Sequence, residues 1–446
     1  MISPIAVGVA ILFAPTALDA QSIAPNVLPF PTGPFPIGRV TYHWIDSSRP
    51  EYLDNTAPRR RELLVDVWYP ARSALREHAG AYLPELAQLQ TTLTDSVLQR
   101  EFAPAYSAIV TGQLSTHAKE RAAAKCPNSG CPLLIFSHGG GVDRSFYSSQ
   151  YEDFASHGYI VAAIAHTYDT HLVLFPDGRV VGAAPPFRDT LSLDPSLPVW
   201  RRELTKELRS QAHLRRVIEV EARDILFVID ELDRYAGDAR LRAPFLHQVD
   251  FQRVGALGHS AGGEAAARAC QLDTRIRACL NQDGVMQNLP FARDSSGRTM
   301  NQPFIYIGRR FTPLPLSDAQ LAAMQLTKAE ADSLFRAIAN GQQSLLSDMP
   351  GGAYRITLKI PGISHMSFSD EPLIEAAGDS VKRAAASLAL ASIQAYTRAF
   401  FDKILFGHTR TLLDRPARDT SAVTVERFSP ARTPASSAHA RMRLTS

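Results

Sequence analysis

Gly258-His259-Ser260-Ala261-Gly262 sets a serine between two glycines, with Gly263 directly behind. This G-x-S-x-G pattern lets a chain turn sharply from a strand into a helix and lifts the serine hydroxyl above the sheet. The apolar stretch 254–257 precedes the motif and the Ala-rich stretch 264–269 follows it, so both flanks fit. The hydroxyl then stands at a helix N-terminus, where free N–H groups and the helix dipole favour a developing anion. Ser260 is expected to act as a nucleophile. The competing expectation is a Gly-rich turn that only packs a helix close to a sheet.

A serine nucleophile needs a base, and with this turn the chain order is serine, acid, histidine. His365, in Gly362-Ile363-Ser364-His365-Met366-Ser367-Phe368, follows a strand pattern at 354–360 and is the expected base. The strand pattern at 304–307 runs into Gly308-Arg309-Arg310-Phe311, which carries no carboxylate, and Asp318 is the next acid. One strand earlier, Ala278-Cys279-Leu280-Asn281-Gln282 runs directly into Asp283-Gly284. Asp283 therefore ends a sheet strand, where ligand-facing residues of open α/β sheets lie, and is the expected acid.

An oxyanion needs two N–H donors. Ala261, after the nucleophile, is one candidate. Gly140, in Ser137-His138-Gly139-Gly140-Gly141, is the other, because glycines allow close backbone approach. His138 reads as a brace for that loop. Phe146 and Tyr147 are candidate walls of an acyl pocket. His259 and His166 are expected to line the pocket or to pack. No Cys/His cluster has zinc spacing, and the chemistry calls for no metal and no organic cofactor.

These residues need a scaffold. Residues 132–136 and 159–165 are short apolar runs joined by a helical stretch at 147–156, a βαβ unit that implies a parallel sheet. Further strand patterns occur at 63–69 and 276–281. Long helical patterns occur at 206–235 and 380–405. The fold class is α/β: an α/β-hydrolase fold, with a mostly parallel central sheet flanked by helices and helical cap or lid insertions. The catalytic domain is expected over 30–412, with insertions near 75–125, 167–204 and 312–350. Residues 413–446 turn to Pro, Ser, Arg and Thr and read as a flexible tail. Leu172, Val173, Leu174 and Phe175 read as a lid underside or a transient lipid-surface contact.

The remaining composition narrows the function class. The chain has 446 residues, a net charge of +3 and 20% charged residues. That balance offers no footprint for nucleic acid. Arg59-Arg60-Arg61 reads as a solvated loop. Residues 5–18 form an apolar run, with a small-residue cleavage point at Ala20, as in a secretory signal over 1–20. It is too short for a comfortable membrane span and no Lys or Arg precedes it. A periplasmic or secreted protein is expected. In such a compartment Cys126 and Cys131 close easily around a turn, while Cys270 and Cys279 are either bridged or buried free thiols.

Several stretches occur together and in order. They are Phe30-Pro31-Thr32-Gly33-Pro34-Phe35, Val65-Asp66-Val67-Trp68-Tyr69-Pro70, Phe136 to Gly141, and Phe154-Ala155-Ser156-His157-Gly158-Tyr159. Gly258 to Gly263, Asp283-Gly284, and His365 with Phe368 complete the set. Over about 30–405 the chain resembles the plasma-type platelet-activating-factor acetylhydrolase family and its bacterial relatives. The resemblance implies a calcium-independent serine esterase acting on short or oxidised acyl chains of phospholipids, or on other esters and polyesters. It implies the same acid, Asp283, and the same second donor, Gly140. Family members often carry larger residues where Gly140 and Ala261 stand. A peptidase or amidase on the same fold and a non-catalytic binding protein are the alternative readings.

Overall fold

A computed structural model describes residues 27–429, apart from 55–57, 73–79, 103–104, 112–113, 184–198, 239–244, 286–299, 311–317, 319–320, 323–326, 377 and 415–421. The expected signal segment at 1–20 lies outside the described residues. So do parts of the two later insertions and of the C-terminal tail.

The chain opens with an antiparallel pair, β1 (Ile37–Pro50) and β2 (Arg60–Pro70). The first insertion contributes α1 (Leu86–Thr92), α2 (Asp95–Glu101) and α3 (Tyr106–Val110), then the short β3 (Lys119–Glu120). Next come β4 (Cys131–Ser137), α4 (Ser148–Ser156) and β5 (Ile160–Ala165). A hairpin of β6 (Leu172–Leu174) and β7 (Val180–Gly182) follows. The chain continues through α5 (Val199–Gly237), β8 (Val249–His259), α6 (Ala261–Leu272), β9 (Ile276–Gln282) and β10 (Phe304–Arg309). It closes with α7 (Lys328–Ser347), β11 (Ala353–Leu358), α8 (Glu371–Glu375), α9 (Ser380–Leu405) and β12 (Val423–Phe428).

One ten-stranded sheet runs β12-β11-β10-β9-β8-β4-β5-β2-β1-β3. From β11 to β5 neighbours pair in parallel. Strand β2 pairs antiparallel with β5, and β12 antiparallel with β11. The central strands are continuous apolar runs because both of their faces are covered. In β4, Leu133 and Ile135 face one core with Ile218, Ile225 and Ile229 of α5 and the alanines of α6. Leu134 and Phe136 face the other core, with Phe154 of α4 and Ile393 and Phe400 of α9. That division is the period-two alternation of a strand. The parallel pairing from β11 to β5 brings the C-terminal ends of those six strands to one rim.

Four readings need correction or completion. Arg61 is not in a solvated loop: it is 1% exposed, in β2, and pairs with Asp224 and Glu51. Part of the expected tail, Val423–Phe428, is an edge strand on β11, because its alternating residues pair with that strand's open edge. Leu172, Val173, Leu174 and Phe175 are all buried, so this stretch presents no surface to lipid. Both cysteine pairs are bridged, Cys126–Cys131 and Cys270–Cys279. The second bridge ties α6 to β9. No helix among the described residues is long and apolar enough to cross a membrane.

Candidate active site

Strand β8 ends at His259, and α6 begins at Ala261, so Ser260 carries the whole turn between them. Its backbone is strained, at φ 54° and ψ −123°. Its N–H donates to Gln282 O at 2.9 Å, which pins the turn to the end of β9. The flanking glycines are required by packing. A Cβ on Gly258 would lie 2.4 Å from the backbone of Gly262, and a Cβ on Gly262 would lie 2.3 Å from the carbonyls of Ser137 and His138. The turn is wedged against the end of β4 with no room for side chains.

Asp283 follows β9 directly, also at φ 54°, and its N–H donates to Ile307 O at 2.8 Å. His365 opens a single 3-10 turn, His365–Phe368, behind β11. The three side chains meet: His365 Nδ1 lies 2.7 Å from Asp283 Oδ2, and His365 Nε2 lies 2.9 Å from Ser260 Oγ. Asp283 is 9% exposed, while the His365 side chain is 40% exposed, so the hydroxyl end of this chain faces solvent. A carboxylate on Nδ1 keeps the proton there and turns the Nε2 lone pair toward Oγ. The arrangement can therefore withdraw the Ser260 proton as Oγ attacks a carbonyl.

The site has a fourth member that sequence reasoning passed over. Arg309, the last residue of β10, donates from its backbone N–H to Asp283 Oδ1 at 3.0 Å and from Nε to Oδ2 at 2.7 Å. Burial alone would raise the Asp283 pKa, but the bonds from His365 and Arg309 outweigh it and hold the carboxyl below its ordinary value. A search of this stretch for a carboxylate finds none and gives no reason to single out Arg309. The usable signal was its place at the end of the strand next to β9.

Gly140 and Ala261 face one another beside Ser260: a Cβ added to Gly140 would lie 3.8 Å from the Ala261 Cβ. Neither N–H has an acceptor among the described residues.

Phe146, Tyr147 and His259 lie under the site and do not wall it. Phe146 and Tyr147 belong to a 3-10 turn, Arg144–Tyr147, packed beneath the glycine loop. Tyr147 is fully buried; its hydroxyl accepts from Gly139 N–H at 3.0 Å and lies 2.8 Å from His259 Nδ1. Phe146 is 2% exposed and packs edge-on against Tyr82 and His171. His259 stacks on Phe368 at 5.5 Å and leans on His365 at 4.5 Å. Burial first, and His365 next, push the His259 pKa down to about 3, so this ring is neutral. His138 is fully buried; it bonds Gly139 O from Nδ1 and accepts His166 N–H at Nε2. Among the described residues, no group of three or more His, Cys, Asp or Glu could hold a metal ion.

A parallel sheet with a strand–serine–helix turn at its C-terminal rim, and an aspartate and histidine brought to that serine from later strands, defines an α/β-hydrolase. The family model for platelet-activating factor acetylhydrolase, isoform II, matches residues 24–375, and the chain belongs to that family. A probable 1-alkyl-2-acetylglycerophosphocholine esterase of Arthroderma benhamiae is 26% identical over 423 residues, covering 90% of this chain and 95% of that protein. A platelet-activating factor acetylhydrolase of Gallus gallus is 26% identical over 204 residues, 44% of this chain and 48% of that one. A solved ferulic acid esterase from Streptomyces cinnamoneus superposes with a TM-score of 0.61 at 26% identity, over 90% of this chain and 99% of that chain. The protein is a carboxylic ester hydrolase.

Proposed function

We propose that Ser260 is the nucleophile of this esterase, His365 its base and Asp283 its acid, with Gly140 and Ala261 supplying the oxyanion N–H groups. The observation that carries this reading is the unbroken chain from Asp283 Oδ2 through His365 to Ser260 Oγ, at 2.7 and 2.9 Å. His365 takes the Ser260 proton as Oγ attacks the ester carbonyl, and the two N–H groups hold the oxyanion. The protonated imidazole then gives its proton to the leaving alcohol. Water repeats the sequence on the acyl-enzyme and returns the serine.

The proposed substrates are short-acyl esters, acetylated glycerophospholipids among them. Family membership and the relative from Arthroderma benhamiae support that class. The apolar run at 5–18 and two disulfides support a periplasmic or secreted location.

The test is hydrolysis of p-nitrophenyl esters from acetate to palmitate, and of 1-alkyl-2-acetylglycerophosphocholine, by wild type and Ser260→Ala. Activity confined to short acyl chains and abolished in the variant is the expected result. Activity that survives in Ser260→Ala overturns the nucleophile assignment. A preference for long chains overturns the substrate class alone.

A further inference from the structure

We propose that a second, buried serine–histidine–aspartate chain, Ser137–His166–Asp224, is the positioning device that sets the glycine loop carrying Gly140. The inference rests on the reading of Gly140 as an oxyanion donor.

The wiring reproduces that of the surface site. Asp224 Oδ2 lies 2.9 Å from His166 Nδ1, and His166 Nε2 lies 2.8 Å from Ser137 Oγ. Its surroundings are the opposite: all three residues are 0% exposed. No substrate reaches this serine, so the chain performs no acyl transfer. Its role follows from its position. Ser137 ends β4, immediately before the glycine loop, and His166 follows β5, the parallel neighbour of β4.

The donors and acceptors run in one consistent direction. Asp224 is anchored by Arg61, at 2.6 Å to Oδ2, and by Arg49, at 2.8 Å to Oδ1. With that carboxylate on Nδ1, His166 carries its proton there and accepts from the Ser137 hydroxyl at Nε2. Burial lowers the pKa of both His166 and His138, so the two rings stay neutral and keep their tautomers. His166 N–H donates to His138 Nε2 at 3.1 Å, which assigns the His138 proton to Nδ1, 2.8 Å from Gly139 O.

A second stitch completes the hold. Asp169 N–H donates to His166 O at 2.9 Å, and Gly141 N–H donates to Asp169 O at 3.0 Å. Tyr168, between these contacts, is held at φ 71°, a conformation that persists only where surroundings impose it. Within the loop, Gly139 N–H goes to Tyr147 Oη, Gly141 N–H to Asp169 O and Val142 N–H to Gly139 O. Gly140 N–H is left without an acceptor among the described residues. The network fixes every neighbour of Gly140 and leaves that one donor for the reaction.

The experiment measures kcat and KM for p-nitrophenyl acetate, and the inhibition constant of a trifluoromethyl ketone, which forms a tetrahedral oxyanion on the serine. Wild type, Ser137→Ala, Asp224→Asn and Ser260→Ala are compared, with active sites titrated by a fluorophosphonate and Tm recorded. A displaced oxyanion donor weakens the transition state and its analogue together and spares ground-state binding. Asp224→Asn is expected to lower kcat about 10- to 100-fold with KM within about twofold, and to weaken the ketone by the same factor as kcat. Ser137→Ala is expected to lower kcat about three- to tenfold. It leaves the Arg61–Asp224 pair intact, so it remains a test if Asp224→Asn does not fold. Unchanged kcat and ketone affinity per titrated site in Ser137→Ala, with only Tm reduced, overturns the inference. Full activity in Ser260→Ala overturns instead the catalytic reading beneath it.

Discussion

Arg309 and His365 donate to the same oxygen, Oδ2 of Asp283, each at 2.7 Å. The carboxylate's charge is therefore divided between that imidazole and a guanidinium that is 41% exposed. The backbone N–H of Arg309 holds the other oxygen, so the carboxylate keeps its place even without that side chain.

Two substitutions separate orientation from charge sharing. Asp283→Asn is expected to lower kcat about 10³- to 10⁴-fold, because an amide cannot hold the imidazole in the required tautomer. Arg309→Gln is expected to cost no more than about tenfold, because the backbone bond remains. Steady-state kinetics on p-nitrophenyl acetate checks both. A loss in Arg309→Gln as deep as that in Asp283→Asn would make the guanidinium indispensable.

Glu264, in the first turn of α6, is 2% exposed. Burial pushes its pKa up from 4.5 to about 8. Below 4.5 the carboxyl is protonated in both folded and unfolded chains. As pH rises from 4.5 to about 8, the unfolded chain releases a proton that the folded chain retains, so this group's contribution to stability is lost across that window. Glu264→Gln, which cannot ionise, is expected to be more stable than wild type at pH 8 by on the order of a few kcal/mol. The advantage should vanish at pH 4.5. Thermal unfolding at both pH values decides it, and a pH-independent difference would contradict the buried, protonated acid.

Two glycines of the site should respond oppositely to one added methyl group. At Gly262 a Cβ would meet backbone at 2.3 Å, whereas at Gly140 nothing lies nearer than 3.6 Å. Gly262→Ala is expected to lose at least about 3 kcal/mol of stability or to fail to fold. Gly140→Ala is expected to unfold within about 2 °C of wild type. Calorimetry on both variants makes the comparison, and a well-folded Gly262→Ala would refute the wedged turn.

The Cys270–Cys279 bridge joins the helix that follows Ser260 to the strand that leads into Asp283. Both cysteines are at most 1% exposed. The double replacement Cys270→Ala, Cys279→Ala is expected to cost about 2–3 kcal/mol, the chain-entropy value for a loop of this length. Urea unfolding under non-reducing conditions measures it. A loss below about 0.5 kcal/mol would mean that the surrounding packing already imposes the geometry.

Local pattern by itself determined the strand, turn and helix at Ser260, the glycine loop after β4 and the histidine behind β11. Each is a run of consecutive residues whose steric and hydrogen-bonding demands act within one turn of chain. Asp283 was legible for a related reason, since a carboxylate directly after an apolar strand can only stand at the sheet's rim. Tertiary structure alone decided the rest. Arg309 reaches Asp283 because β10 lies beside β9; Arg61 is buried because α5 presents Asp224 to β2; β12 finds a place because β11 has an open edge. Tyr147, a candidate pocket wall, and His259, expected to line the pocket or to pack, are both buried and bonded to each other beneath the glycine loop, and Ser137, His166 and Asp224 meet across 87 positions of chain. Which strands are neighbours, and in what register, is set by the packing of two whole cores, and no local window of residues carries that information.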